Sequence, residues 1–129
     1  MKRILLDSVA LVWWYRAPKK LSRPGYDAIF AKTNEVFVSA ATAWEIATKV
    51  RKGRFPEAAR LIERFDAYLE EQEFRPLAVT MAHAKLGGSL SSLHKDPFDR
   101  LIAAQAQIED LAIVTCDSAF QGLGVRILW

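Results

Sequence analysis

Three short, uninterrupted apolar runs constrain this chain more than anything else in it: Ile4-Leu5-Leu6, Val36-Phe37-Val38 and Ala112-Ile113-Val114. A strand with one face in water alternates apolar and polar residues, whereas a continuous run demands cover on both faces. Continuous strands separated by helical stretches describe a parallel sheet with helices packed on either side. The expected class is therefore α/β, a three-layer α/β/α sandwich around a mostly parallel five-stranded sheet. Pro76 to Val79 and Val125 to Leu128 supply the two weaker strands.

The helices announce themselves by their ends. Asp7 hands the first strand to a helix through Trp14, and Pro24 opens another through about Ala31. Ser39 caps a helix running to Lys52, stopped by Gly53. Pro56 opens a helix expected to run unbroken to Gln72, because Leu61, Ile62, Phe65, Tyr68 and Leu69 form one amphipathic stripe. Thr80 caps a helix ending at Gly87-Gly88, and Gly87 to Lys95 reads as a Gly- and Ser-rich loop. Asp96-Pro97-Phe98-Asp99 is a strong helix start: a cap, a proline at the first helical position and an acid in the first turn. The helix it opens is apolar nearly all round after Arg100, so it should be packed on more than one side.

With 129 residues and no repeat or linker-like stretch, the chain is expected to form a single domain over residues 1–129. The one cysteine, Cys116, excludes an internal disulfide and a thiolate zinc framework; lying in a strand, it reads as a small buried residue. Lys2-Arg3 and the apolar run after them superficially suggest a secretory leader, but Asp7 interrupts it and no clean cleavage site follows. No run approaches the roughly 18 apolar residues of a membrane span. A cytoplasmic protein with no membrane partner is the expectation.

The chemistry lies in the acids. In open parallel sheets, ligands bind outside the carboxyl ends of the strands and at the adjoining helix N-termini. Asp7 ends the first strand, Asp117 follows the fourth, and Asp99 sits in the first turn of the last long helix. Each has a plain structural explanation: Asp7 is a good N-cap, Asp96 and Asp99 suit a helix start, and Asp117 suits a turn. Glu45 points away from the Ala43, Ile46, Ala47 and Val50 stripe, so periodicity places it in solvent. Together the acids are harder to dismiss, since two unit charges about 4 Å apart repel by roughly 4 kcal/mol at an effective dielectric near 20. A fold that gathers several must bind a cation, hold protons or accept strain. All-oxygen donors without a histidine or cysteine cluster suit Mg²⁺ or Mn²⁺.

Other groups carry weaker signals. The net charge of +3 favours an anionic partner without proving one. Two basic clusters stand out, Arg16, Lys19, Lys20 and Arg23, then Lys49, Arg51, Lys52 and Arg54. Either is a solvated face or a nucleic-acid contact. His83 and His94 read as surface or packing residues, with His94 near enough to Asp96 to approach a substrate. Trp13, Trp14 and Trp44 read as core or interface residues before base-stacking platforms. No glycine-rich phosphate loop is present.

At Leu5-Leu6-Asp7-Ser8, at Ser39-Ala40-Ala41-Thr42-Ala43-Trp44-Glu45-Ile46, at His94-Lys95-Asp96-Pro97-Phe98-Asp99-Arg100 through Ala106, and at Val114-Thr115-Cys116-Asp117, the chain resembles PIN-domain proteins. It is most similar to the VapC-type toxins of toxin–antitoxin pairs. The resemblance implies a PIN-like fold and a Mg²⁺- or Mn²⁺-dependent endoribonuclease acting on RNA. It implies an acidic quartet at Asp7, Glu45, Asp99 and Asp117, serving as catalytic and metal-binding residues, with Asp96, Thr115 and Ser8 as additional site residues. Arg16, Lys19, Lys20, Lys49, Arg51 and Lys52 become candidate RNA contacts, and a small cognate antitoxin and a homodimer the expected partners. Ser8 and Val9 stand where the subgroup more often carries threonine and histidine, which touches a local contact. Two other classes compete. A receiver-type phosphoacceptor needs paired acids after the first strand, which Asp7 lacks. A catalytically silent PIN-like module that binds nucleic acid or a partner is separated from an enzyme by metal-dependent cleavage.

Overall fold

A computed structural model describes residues 1–129. Five strands form one sheet: β1 (Arg3–Leu6), β2 (Glu35–Ser39), β3 (Arg75–Leu77), β4 (Ala112–Val114) and β5 (Ile127–Leu128). Their order is β3-β2-β1-β4-β5, and every neighbouring pair is parallel. Seven α-helices connect them: α1 (Ser8–Arg16), α2 (Arg23–Phe30), α3 (Ala40–Arg51), α4 (Ala59–Glu63), α5 (Phe65–Gln72), α6 (Met81–Ser89) and α7 (Pro97–Glu109). Short 3₁₀ turns lie at Pro18–Lys20, Pro56–Ala58 and Ser118–Leu123.

The apolar runs do what continuous runs require. Ile4 and Leu6 face a core that takes in Val36, Val38 and Val114 with Leu11, Ile29, Ile46, Leu61 and Leu69. Leu5 faces the opposite way, into a second core of Ile113, Ile102, Ala103, Ala106, Leu111 and Phe120. One strand thus feeds two cores, which makes the arrangement three layers. At about 25 cal/mol per Å² of apolar surface, burying each such side chain contributes roughly 1.5–3 kcal/mol. No helix is long and apolar enough to cross a membrane.

Three expectations are corrected. The stretch from Pro56 to Gln72 is not one helix: a 3₁₀ turn precedes α4, and Arg64 (φ −127°, ψ 36°) separates α4 from α5. The break lets Leu61 in α4 and Tyr68 and Leu69 in α5 turn onto the same core. The helix capped by Thr80 continues through Ser89 instead of ending at Gly87-Gly88. A Cβ at Gly87 would stand 3.2 Å from the Arg100 carbonyl oxygen, so glycine there permits close approach of α6 to α7. Cys116 lies beyond β4 and is exposed, because the pairing of β4 with β1 ends at Val114.

The tryptophans divide. Trp13 packs on Trp129 (centroids 5.9 Å) and Trp14 on Tyr26 (5.3 Å), with the Trp14 Nε1–H donating to Gln72 Oε1 at 2.9 Å. Trp44 is neither core nor covered here: it is 66% exposed.

Candidate active site

The strand order reverses at β1: the chain steps outward to β2 and β3, then returns to place β4 on the other side. A crevice opens beyond the carboxyl ends of strands at such a point. Leu6 of β1 pairs with Val114 of β4, so the next residues, Asp7 and Thr115, emerge side by side. Asp7 is nearly buried and serves as N-cap of α1, its Oδ1 accepting from the Ala10 N–H at 2.8 Å. The Thr115 hydroxyl donates to Oδ2 at 2.5 Å. Asp7 thus caps α1 with one carboxylate oxygen and meets Thr115 at the neighbouring strand's end with the other.

Asp99 enters from α7. Asp96 caps that helix, its Oδ1 accepting from the Phe98 and Asp99 N–H groups. Asp99 lies in the first turn, where its Oδ2 accepts from the His94 Nε2–H at 2.8 Å. Glu45 enters from α3. Its carboxylate accepts from the Ser8 hydroxyl and pairs with Lys49 Nζ at 3.2 Å. The Glu45 side chain is only 12% exposed, contrary to its placement in solvent by periodicity. The stripe facing the sheet says nothing about the start of α1, and that is where Ser8 meets it.

Asp117 stands one link away. Its N–H donates to Thr115 Oγ1 at 3.0 Å, and its Oδ1 caps the following 3₁₀ turn through the Ala119 N–H at 2.9 Å. Thr115 thereby connects the Asp117 backbone to the Asp7 carboxylate.

The electrostatics record acids that are poorly solvated and close enough to act on one another. Burial pushes the Asp7 carboxyl up to about 6, against the pull of its bonds from Thr115 and Ala10, and Asp99 and Glu45 push the same way. Burial also raises Asp99, opposed by the His94 hydrogen bond and reinforced by Asp96 and Glu45. Asp7, Asp99 and Glu45 therefore sense one another. No three acidic, histidine or cysteine side chains are grouped closely enough to enclose a metal ion. The donors nevertheless suit a hard cation: all are oxygens, and Mg²⁺ commonly keeps several waters and uses only one or two carboxylates. The two carboxyls raised by burial and by neighbouring acids are the pair a cation would relieve.

The basic residues separate into two places. Lys49, Lys52, Arg54 and Lys95 line a cleft of about 410 Å³ together with Glu45 and Asp96. Arg16, Lys19 and Lys20 are not brought to the acids. They lie at and beyond the far end of α1, about 13 Å of helix from Asp7, and Lys19 lines a separate depression with Arg23 and Tyr26. Arg51 is exposed at the end of α3 and does not line the cleft.

Arg100 is missed by sequence reasoning, although it directly follows Asp99. Its guanidinium donates to the carbonyls of Gly87, Gly88, Leu90, Ser92 and His94, closing the loop that carries His94 and Lys95. His83 is fully buried and structural: its Nδ1 accepts from the Thr80 N–H and its Nε2–H donates to Glu109, tying α6 to α7.

A family model described as PIN domain matches residues 4–125. Ribonuclease VapC22 of Mycobacterium tuberculosis is 31% identical over 118 residues, covering 91% of this chain and 88% of that protein. Among solved structures, FitAcB from Neisseria gonorrhoeae superposes with a TM-score of 0.68 at 21% identity, over 96% of this chain and 95% of that one. VapBC2 from Rickettsia felis, bound to a DNA fragment from its promoter, superposes with a TM-score of 0.69 at 19% identity, over 97% and 96%. At those identities the structural likeness concerns the fold.

Proposed function

This chain belongs to the PIN-domain family, and from that premise we propose that it is a divalent-metal-dependent endoribonuclease, the toxin of a toxin–antitoxin pair. The observation that carries the reading is the set of acids at the carboxyl edge of the sheet: Asp7 is held by Thr115, Glu45 is bonded to the adjacent Ser8, and burial with Asp99 and Glu45 pushes the Asp7 carboxyl up. The 31% identity to a ribonuclease named VapC22 supports the same activity.

Asp7 and Asp99, with Asp117 behind Thr115, would hold Mg²⁺ or Mn²⁺ directly or through its waters. When bound, such a cation supplies Lewis-acid stabilisation of charge developing on the phosphate and lowers the pKa of the attacking water. Glu45, fixed by Ser8 and Lys49, orients that water and accepts its proton. Thr115 keeps Asp7 aimed into the cleft. Because water attacks, the ribose 2′-hydroxyl takes no part, and the products carry a 5′-phosphate and a 3′-hydroxyl.

The neighbouring structures include toxin–antitoxin assemblies, among them one from Klebsiella pneumoniae. By analogy a small antitoxin would cover this cleft, presenting an Arg or Lys to the acids and an apolar segment beside them. The chain itself would pair as a homodimer in the cytoplasm, through aromatic surface such as Phe30, which stacks on Tyr26 and is 62% exposed. Growth arrest on expression, relieved by a neighbouring gene product and absent with Asp99→Asn, tests the reading in cells. Sequencing the RNA ends tests the chemistry. Arrest that persists with Asp99→Asn would replace the enzyme with a silent binding module.

A further inference from the structure

Trp44 immediately precedes Glu45 on α3 and is left 66% exposed. Its neighbours on the same helical face, four and eight residues on, are Thr48 and Lys52, and both line the basic cleft that contains Glu45. Phe98, another wall of that cleft, meets the Trp44 ring at 89° with centroids 5.7 Å apart. The indole is thus braced at the rim of the cleft by one neighbour while most of it faces solvent.

The charges beside it are uneven. Lys49 is committed to Glu45. Lys52, Arg54 and Lys95 are exposed and have no carboxylate within ion-pair distance. An open aromatic ring next to unpaired cations matches the two halves of a nucleotide, a base with a π-face and a phosphate. A duplex keeps its bases stacked on one another, so the match is to an unpaired strand. An apolar protein segment would cover the ring but leave the cations without partners.

We propose that Trp44 is a base-stacking platform for single-stranded RNA, with the adjoining phosphates held by Lys52, Arg54 and Lys95. This rests on the ribonuclease reading and adds the path of the substrate: the strand crosses the rim at Trp44 and passes Glu45 toward Asp7 and Asp99. The platform selects for unpaired RNA and tolerates any base.

The test uses the purified chain and a fluorescently labelled, short, mixed-sequence single-stranded oligoribonucleotide with Mn²⁺. Trp44→Leu keeps apolar bulk without a π-face, and Trp44→Phe restores one. Stacking predicts that KM rises about 10- to 100-fold in the Leu variant, with kcat changing far less and Phe recovering most of the loss. A parental KM in the Leu variant overturns the proposal, as does equal impairment by Leu and Phe. If the Leu variant instead keeps its KM but loses self-association or antitoxin binding, the ring is a protein contact and the proposal falls. Should the parent not cut RNA at all, the ribonuclease reading fails separately. Anisotropy of the same oligonucleotide against the same variants then decides the platform by itself.

Discussion

Thr115 donates its hydroxyl to Asp7 Oδ2 at 2.5 Å across a sequence separation of 108 residues, and the Thr115 Oγ1 itself accepts from the Asp117 N–H at 3.0 Å. The bond joins the ends of the two strands that flank the crevice, and it supplies one of only two donors to a nearly buried carboxylate. Thr115→Val keeps the shape and removes the hydroxyl. It should cost about 1–3 kcal/mol of stability, push the Asp7 carboxyl further up and lower cleavage at neutral pH. Thr115→Ser should restore both. Urea midpoints and cleavage rates of the three proteins check this; a Val variant equal to the parent in both would show that the bond positions nothing.

Asp7 also makes stability depend on pH. Its folded pKa of about 6 lies above its ordinary value of 3.8, so between those values the native state holds the extra proton. Stability from this group is complete below 3.8 and is lost as pH rises through about 6. The shift corresponds to about 3 kcal/mol. In chelator, Asp7→Asn should therefore gain on the parent by about that amount between about pH 4 and pH 7.5. A difference that stays flat over this range would remove Asp7 from the titration.

Arg100 should matter out of proportion to its partial exposure. It binds five carbonyls of the segment from Gly87 to His94, a geometry that a planar five-donor fork can meet and an ammonium cannot. Arg100→Lys should lose about 2–3 kcal/mol and deprotect residues 90–96 in hydrogen exchange, with slower cleavage through the displaced His94 and Asp96. Unchanged exchange in that loop would contradict the clamp.

The parts of the site that neighbour the strands in sequence are legible without coordinates. A continuous run such as Ile4-Leu5-Leu6 names its strand, and whatever follows it, Asp7 or Thr115, must emerge at the carboxyl edge. Residues whose environment is made by two helices are not legible this way. Glu45 faces Ser8 and Lys49, and helical periodicity registers only burial against the sheet. Trp44 meets Phe98 of α7 yet stays mostly exposed, which no local pattern reveals. The resemblance to PIN domains places Glu45 in the site where periodicity alone places it in solvent. The break at Arg64 is hidden for the opposite reason: an unbroken amphipathic stripe is satisfied equally by one helix or by two that turn onto one core.

A shared cation would also appear in stability. Mg²⁺ or Mn²⁺ at one hundred times its dissociation constant should stabilise the parent by about 2.7 kcal/mol. Asp99→Asn removes one of the mutually repelling charges, so it should be at least as stable as the parent in chelator and gain much less from metal. Thermal melts in chelator and in Mn²⁺ compare them. Equal shifts in both proteins would mean that Asp99 takes no part in holding the ion.

If Asp7 and Asp99 form the working centre of a metal-dependent ribonuclease, RNA cleavage must depend on both the cation and the two carboxylates. The parent, Asp7→Asn and Asp99→Asn would be purified free of host nuclease and compared in Mg²⁺, in Mn²⁺ and in chelator. Cutting by the parent is expected only with metal, with products ending in 5′-phosphate and 3′-hydroxyl and a loss of at least about 100-fold in each variant. Parental cutting in chelator, or undiminished cutting by both variants, would contradict that role.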